Sequence, residues 1–200
     1  MRGRRLLTPK GDAIRPTSDR VREAVFNLLG QDLDGRRVLD LFAGTGALGI
    51  ESLSRGATWA VFVDHSPAAL GLISRNLERC GLAQSATLIR HDLRHGPPSC
   101  APARMRGLDV VFLDPPYGLG LIPPILNALS SCTGLDAEGV IVAETAARET
   151  LPLHDVTLQL VTKRRYGDTS IHIIAWNHEL RAAEKAKPDT HETIRTEKTT

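Results

Sequence analysis

The run Val38–Phe42, apolar apart from Asp40, reads as a buried strand. It breaks directly into Ala43-Gly44-Thr45-Gly46, and from about residue 46 to 55 the spacing turns helical until Gly56 closes it. A strand that passes through glycines straight into a helix can fold in few ways. The glycines allow close backbone approach to a ligand, and the helix presents its N-terminus to the same place. Such a unit opens a parallel α/β sheet.

The alternation continues along the chain. Strands are predicted at Trp59–Val63, Thr87–Arg90, Leu108–Leu113 and Gly139–Glu144, with helices at Pro67–Cys80, capped by Gly81, and at Ile122–Ser131. Ahead of them, Ser18 or Thr17 can cap a helix over 19–30 with Val21, Val25, Phe26, Leu28 and Leu29 on one side. Residues 96–102 are proline-rich and read as loop, and the strands Thr157–Arg165 and Thr169–Trp176 read as a hairpin turning at Tyr166-Gly167-Asp168. A mostly parallel sheet with helices on both faces and an antiparallel C-terminal hairpin is the layout of the class I, Rossmann-like methyltransferase fold. Residues 1–18 form a basic arm or shortened hairpin, 19–177 the domain, and 178–200 a polar tail expected to be disordered. That tail balances five basic against five acidic residues, with Leu180 and Ile194 its only large apolar side chains.

Gly44-Thr45-Gly46-Ala47-Leu48-Gly49 also matches the dinucleotide fingerprint, and Asp64, 20 residues after Gly44, suits a ribose in either case. Asp40 separates the two readings. A pyrophosphate would be repelled by a carboxylate beside the loop, whereas the sulfonium and ammonium of S-adenosylmethionine would be attracted. Asp40 capping the next helix is the plainer alternative. The expected cofactor set is Asp40, Phe42, Ala43, Gly44, Thr45, Gly46 and Asp64. Glu51 is a reserve, His65 a flank to the ribose, and Asp92 an acceptor for an adenine amino group.

About seventy residues after Asp40, Asp114-Pro115-Pro116-Tyr117 follows the apolar run Val110–Leu113. The prolines remove N–H groups and stiffen the loop, leaving carbonyls as acceptors. Asp114 and a carbonyl such as that of Pro115 can hold both hydrogens of an exocyclic NH2, which frees its lone pair and stabilises the charge growing on nitrogen. Tyr117 can stack on the base. A base inside a duplex must be flipped to reach such a site. No Pro-Cys pair follows a strand, which argues against methylation at carbon.

Charge and cysteines complete the reading. The chain carries a net +2, yet residues 1–22 hold seven basic against two acidic residues, a net +5, so RNA phosphates are expected at this arm and at Arg4 and Arg5 in particular. The three cysteines show no metal-ligand or disulfide spacing, so no metal is expected, and reduced thiols suit a cytoplasmic protein. Neither a signal peptide nor a membrane span is read from the sequence. His95, His154, His172 and His178 show no ligand-like spacing and read as structural or exposed.

The run Arg15-Pro16-Thr17-Ser18-Asp19-Arg20-Val21-Arg22-Glu23-Ala24-Val25-Phe26-Asn27 resembles the signature of the RsmD family of bacterial 16S rRNA guanine-N2 methyltransferases. So do Leu39–Glu51, Ser54-Arg55-Gly56-Ala57, Asp114–Tyr117 and Tyr166-Gly167-Asp168-Thr169; the likeness spans residues 2–176. It implies S-adenosylmethionine as donor, guanine N2 as acceptor, and 16S rRNA of the small ribosomal subunit as partner. It also implies Arg15, Pro16 and Thr17 at the cofactor and substrate entrance, with Arg20 and Arg22 meeting RNA phosphate or bracing the loop. The chain departs from the family pattern in lacking an apolar strand before Arg2-Gly3-Arg4 and in carrying Asp64 where Glu is common. A DNA adenine-N6 methyltransferase uses the same Asp-Pro-Pro-Tyr chemistry, but 200 residues leave no room for a target-recognition domain. A non-catalytic RNA-binding assembly factor is opposed by the intact motifs. A monomer is expected.

Overall fold

A computed structural model describes residues 6–8, 19–99, 105–130, 135–153 and 157–176. Arg4, Arg5, Arg15, Pro16 and Thr17, and the tail from 177 onward, lie outside the described residues. The order is α1 (Asp19–Leu29), β1 (Arg37–Leu41), α2 (Ala47–Ser54), β2 (Trp59–Asp64), α3 (Pro67–Cys80), β3 (Ala86–Arg90), β4 (Leu108–Leu113), α4 (Ile122–Ser130), β5 (Leu135–Ala146), β6 (Leu158–Tyr166) and β7 (Thr169–Trp176). Short 3-10 turns, which periodicity does not reveal, lie at Ala83–Ser85 between α3 and β3 and at Leu93–His95 between β3 and β4. No helix among the described residues is long and apolar enough to cross a membrane.

The seven strands form one sheet in the order β3-β2-β1-β4-β5-β7-β6. The first five run parallel; β7 pairs antiparallel with both β5 and β6, which leaves β6 at the edge. This is the class I methyltransferase topology. The strand order reverses between β1 and β4, and in an open α/β sheet ligands settle at that point, over the carboxyl ends.

Period-two alternation sends successive side chains to opposite faces. Val38, Ala60, Phe62, Val110, Phe112 and Val142 pack with Val25 and Phe26 of α1, Leu48 and Leu53 of α2, and Ile73 and Leu77 of α3. Leu39, Leu41, Val61, Val63, Val111, Leu113 and Ile141 pack with Ile122, Ile125, Leu126 and Leu129 of α4. Phe26, Phe62 and Phe112 are fully buried; each such side chain contributes about 1.5–3 kcal/mol. Phe26 meets Phe112 edge-on at 6.1 Å, and the Arg55 guanidinium lies over the Phe26 ring at 4.5 Å. The helix ends follow the sequence: Ser66 caps α3 through Ala69, Pro67 opens it, and Gly81 closes it.

β5 is longer than the Gly139–Glu144 expected. It begins at Leu135, and its register against β4 shifts between Leu108 and Val110. Gly139 explains the irregularity, since a Cβ there would lie 3.0 Å from the Asp136 carbonyl oxygen and 3.1 Å from that of Leu108. The glycine marks a backbone crossing rather than the start of the strand.

Candidate active site

The sheet register brings the two motifs together. β1 lies between β2 and β4, with Leu41 paired to Val63 on one side and Leu113 on the other. The chain therefore leaves the sheet side by side at Phe42, Asp64 and Asp114. Phe42 is the one non-glycine residue with positive φ (64°) among the described residues. That conformation is uncommon for a bulky side chain and is found where surrounding structure enforces it, often at functional sites. Here the enforcing contacts are hydrogen bonds on either side, from Ala43 N–H to the Val63 carbonyl and from Gly49 N–H to Asp40.

Each glycine of the turn that matters has its own reason. Gly46 stands just before α2 at φ 76°, in the left-handed region. Gly49 faces Phe62, and a Cβ there would lie 2.3 Å from the ring, so only glycine lets α2 approach β2 this closely.

Asp40 is fully buried on the α2 side of β1, where alternation sends it. Its Oδ2 accepts the Gly49 N–H at 3.0 Å, satisfying a donor of the first turn of α2. The capping and cofactor readings of this residue are thus compatible. Burial pushes the Asp40 carboxyl well above the usual carboxylate range; the Gly49 bond opposes this, and the charges of Asp114 and Asp64 raise it further. Three acids thus stand at neighbouring strand ends, and a cation bound among them would be favoured by their combined charge.

Asp64 holds the loop from the β2 side. Its Oδ2 accepts the Gly44 N–H at 3.0 Å, and its Oδ1 accepts the Ser66 N–H at 2.8 Å with His65 Nδ1 3.4 Å away. Beside it opens a cleft of about 200 Å³ lined by Phe42, Leu93, Pro116, Leu119 and Leu121, with Asp64, His65, His91, Asp92 and Arg94 around the rim. Apolar walls with a few polar groups suit a flat heterocycle on a ribose. His91 bonds the Gly96 carbonyl at 2.9 Å. Asp92 reaches the rim, but caps the 3-10 turn through Arg94 N–H and accepts two-pronged hydrogen bonds from the Arg94 guanidinium; hydrogen bonds from Arg94 hold its carboxyl far below the usual range.

Two further expected residues are engaged with neighbours on their own helices. Glu51 pairs with Arg55 one helical turn later, at 2.7 Å, on the side of α2 facing Phe26. Arg22 pairs with Asp19 at 2.8 Å, in the first turn of α1, while Arg20 is exposed.

At the acceptor side, Asp114 is half-buried, Pro115 buried, and Pro116 and Tyr117 exposed, beyond the end of β4. The Tyr117 hydroxyl donates to Glu144 Oε1 at 2.5 Å and lies 2.8 Å from Thr169 Oγ1. Burial, then the Glu144 bond, raises the Tyr117 pKa, so the phenol stays protonated and the ring is fixed at the end of the motif. Glu144 was not expected; only its place at the carboxyl end of a strand signals it.

Asn76 is a second residue missed. It is fully buried in α3 among Leu72, Ile73, Leu77 and Cys80. Its Oδ1 accepts the Leu7 N–H at 2.7 Å, and its Nδ2 donates to the carbonyls of Leu7 (3.1 Å) and Thr45 (3.2 Å). One side chain therefore ties the N-terminal segment to the glycine loop. The available signal was a lone amide on an otherwise apolar helical stripe.

The sequence matches the model of a family described as conserved hypothetical protein 95 over residues 1–175. Ribosomal RNA small subunit methyltransferase D of Escherichia coli K12 is 33% identical over 151 residues, covering 76% of this chain and 74% of that protein. The chain belongs to the RsmD family. YlbH of Bacillus subtilis strain 168, named as an rRNA methyltransferase, is 38% identical over 172 residues and matched across 86% of this chain and 93% of its own length. The solved structure of Escherichia coli yhhF superposes with a TM-score of 0.75 at 29% identity, covering 88% of this chain and 93% of that one. Shared fold and motifs make this chain, like the RsmD proteins, a methyltransferase.

Proposed function

We propose that this chain transfers a methyl group from S-adenosylmethionine to the exocyclic N2 of a guanine in 16S rRNA of the small ribosomal subunit. One observation carries the reading: the register of β1 against β4 and β2 sets Asp40, Asp64 and Asp114 at neighbouring carboxyl ends of the sheet, at its switch point. An acidic pocket of this kind favours a cationic cofactor and disfavours a pyrophosphate. S-adenosylmethionine supplies, when bound, an electrophilic methyl on a sulfonium. Asp40 would hold its ammonium side, Asp64 its ribose hydroxyls, and the Phe42, Leu93 and Leu121 walls its adenine.

The chain's own residues then act on the acceptor. Asp114 and the Pro115 carbonyl accept the two N–H bonds of the guanine amino group, which turns its lone pair out of the ring. They stabilise the positive charge that forms on nitrogen, and Asp114 takes the proton released. Tyr117, fixed by Glu144 and Thr169, offers its ring to the flipped base. The arm at residues 1–22, the +5 segment, supplies phosphate contacts.

The test is transfer of tritium from labelled cofactor to small subunits that lack the modification, followed by digestion to nucleosides. N2-methylguanosine is the expected product. N6-methyladenosine would replace guanine by adenine, and cofactor binding without transfer to any RNA would remove the catalytic reading.

A further inference from the structure

We propose that the free edge of the sheet at the C-terminal half of β6, Lys163-Arg164-Arg165, is a second RNA-backbone contact surface beside the acceptor site. The inference rests on the proposed rRNA reaction and concerns a surface apart from the N-terminal arm. Among the described residues β6 is the outermost strand, paired only with β7, and runs in the same direction as β1–β5. Its end therefore lies at the same edge of the sheet as Asp40 and Asp114. Tyr166 pairs with Thr169, the residue that bonds the Tyr117 hydroxyl. Arg164, two residues back, is about 7 Å along the strand from that pair. This is on the order of the spacing between neighbouring phosphates, so a base held at Tyr117 would bring its flanking backbone over these cations.

All three side chains are exposed, and none forms an ion pair among the described residues. Arg165 Nε donates to the Gly167 carbonyl at 2.8 Å and Arg164 Nη1 to the Lys163 carbonyl at 3.3 Å, which leaves guanidinium nitrogens of both for a ligand. Arg164 pairs with Ile171, while Lys163 and Arg165 pair with His172 and Ser170, so the charges flank the edge on both faces. A backbone lying along the edge would meet them all.

Lysine and arginine also protect edge strands from pairing with other chains. Protection alone would place charge where the edge is most apolar. Here Leu160 and Val161, 44% and 61% exposed, lie in the first half of β6, where residues 158–162 carry no charge, and the cations gather in the second half, toward the acceptor end. Their placement follows the site rather than the exposed apolar surface.

The experiment compares the full-length protein with K163Q/R164Q/R165Q, using small subunits lacking the modification for turnover and an rRNA fragment for binding across a salt series. The salt slope should fall by about two units, roughly 0.7–0.9 per lost phosphate contact. KM for subunits should rise about tenfold or more, with kcat within twofold and cofactor Kd unchanged. Should the triple variant not fold, R164Q and R164K are read instead: the first should lower the slope by about one unit and the second should restore it. An unchanged slope and KM in an active protein would overturn the inference and leave the cations as edge protection. Failure of the unaltered protein to methylate RNA would overturn the proposed reaction instead.

Discussion

Around Gly44 and Asp64 the site is built from backbone; around Tyr117 it is built from side chains. Both Asp64 oxygens hold main-chain N–H groups, Asp40 holds another, and Asn76 grips the Thr45 carbonyl from below. On the β4 side the loop hangs on the Tyr117 hydroxyl, and Gly118 and Gly120 (φ 74° and 61°) follow it, with Leu119 60% exposed. The difference matches two tasks. A small cofactor rewards a rigid cradle, because ordering costs are met in advance. A base on a large RNA needs a surface that can adjust while the reacting atoms stay fixed.

The comparison predicts that damage on each side shows up in different constants. Asp114→Ala should lower kcat by at least about a hundredfold and leave cofactor Kd within a few-fold, since the loss falls on the transition state. Near-normal turnover would break the division at its centre. Asp64→Ala should do the reverse. It removes a charged acceptor from Gly44 and Ser66 as well as from the ribose, and such bonds contribute about 1.5–3 kcal/mol, or about ten- to a hundredfold in cofactor Kd by calorimetry. Unchanged affinity would move the ribose contact elsewhere.

Asp40 sharpens the comparison because stability and binding should move in opposite directions. Burial raises its pKa in the folded protein above the ordinary 3.8. The stability it contributes is therefore present below the unfolded value and lost as pH climbs through the raised folded value. Above the unfolded value, keeping this carboxyl buried therefore destabilises the empty protein. Asp40→Asn keeps an oxygen for Gly49 N–H and removes the ionisable group. The free protein should melt higher, by about 2–4 °C per kcal/mol gained, while cofactor affinity falls about tenfold. In the unaltered protein, cofactor affinity should weaken as pH drops and Asp40 takes up a proton. A variant that melts no higher and binds as well would show that the carboxylate only caps α2.

The strand–helix order was legible because each signal is local. Alternating apolar runs, Pro67 and Gly81 at the ends of α3, and the Asp-Pro-Pro-Tyr motif all act within a few residues of themselves. The placement of Asp40, Asp64 and Asp114 followed once the strands were taken as parallel, since their carboxyl ends must share an edge. What was hidden depends on distant pairing. Asn76 meets Leu7 across 69 positions and Tyr117 meets Glu144 across 27, and no spacing rule joins them. Glu51 shows the converse. Its motif position suggests the cofactor, yet Arg55 one turn later is a nearer partner and draws it toward Phe26. The shift in β5 was equally hidden, because Gly139 reads as a strand start until the Leu108 carbonyl is seen against it.

The smallest effect expected is also the most local. Tyr117→Phe keeps the ring and removes the hydroxyl that donates to Glu144 and meets Thr169. Glu144 is buried and loses one donor, so the loop should hold its place less firmly; a net hydrogen bond contributes about 0.5–1.5 kcal/mol. kcat/KM for RNA should drop about three- to tenfold, with cofactor Kd moving by less than twofold, because the loop gives the cleft only the Pro116 and Leu119 wall while the hydrogen bonds of the cradle come from β1, β2 and α3. Tyr117→Ala should fall further, by the stacking term of about 1–3 kcal/mol. The gap between the two variants then separates what the ring does for the base from what the hydroxyl does for the loop. If Phe and Ala were equally impaired, the hydroxyl anchor would account for the whole effect and the base would stack elsewhere. If both bound cofactor less well, the two halves of the site would be one unit.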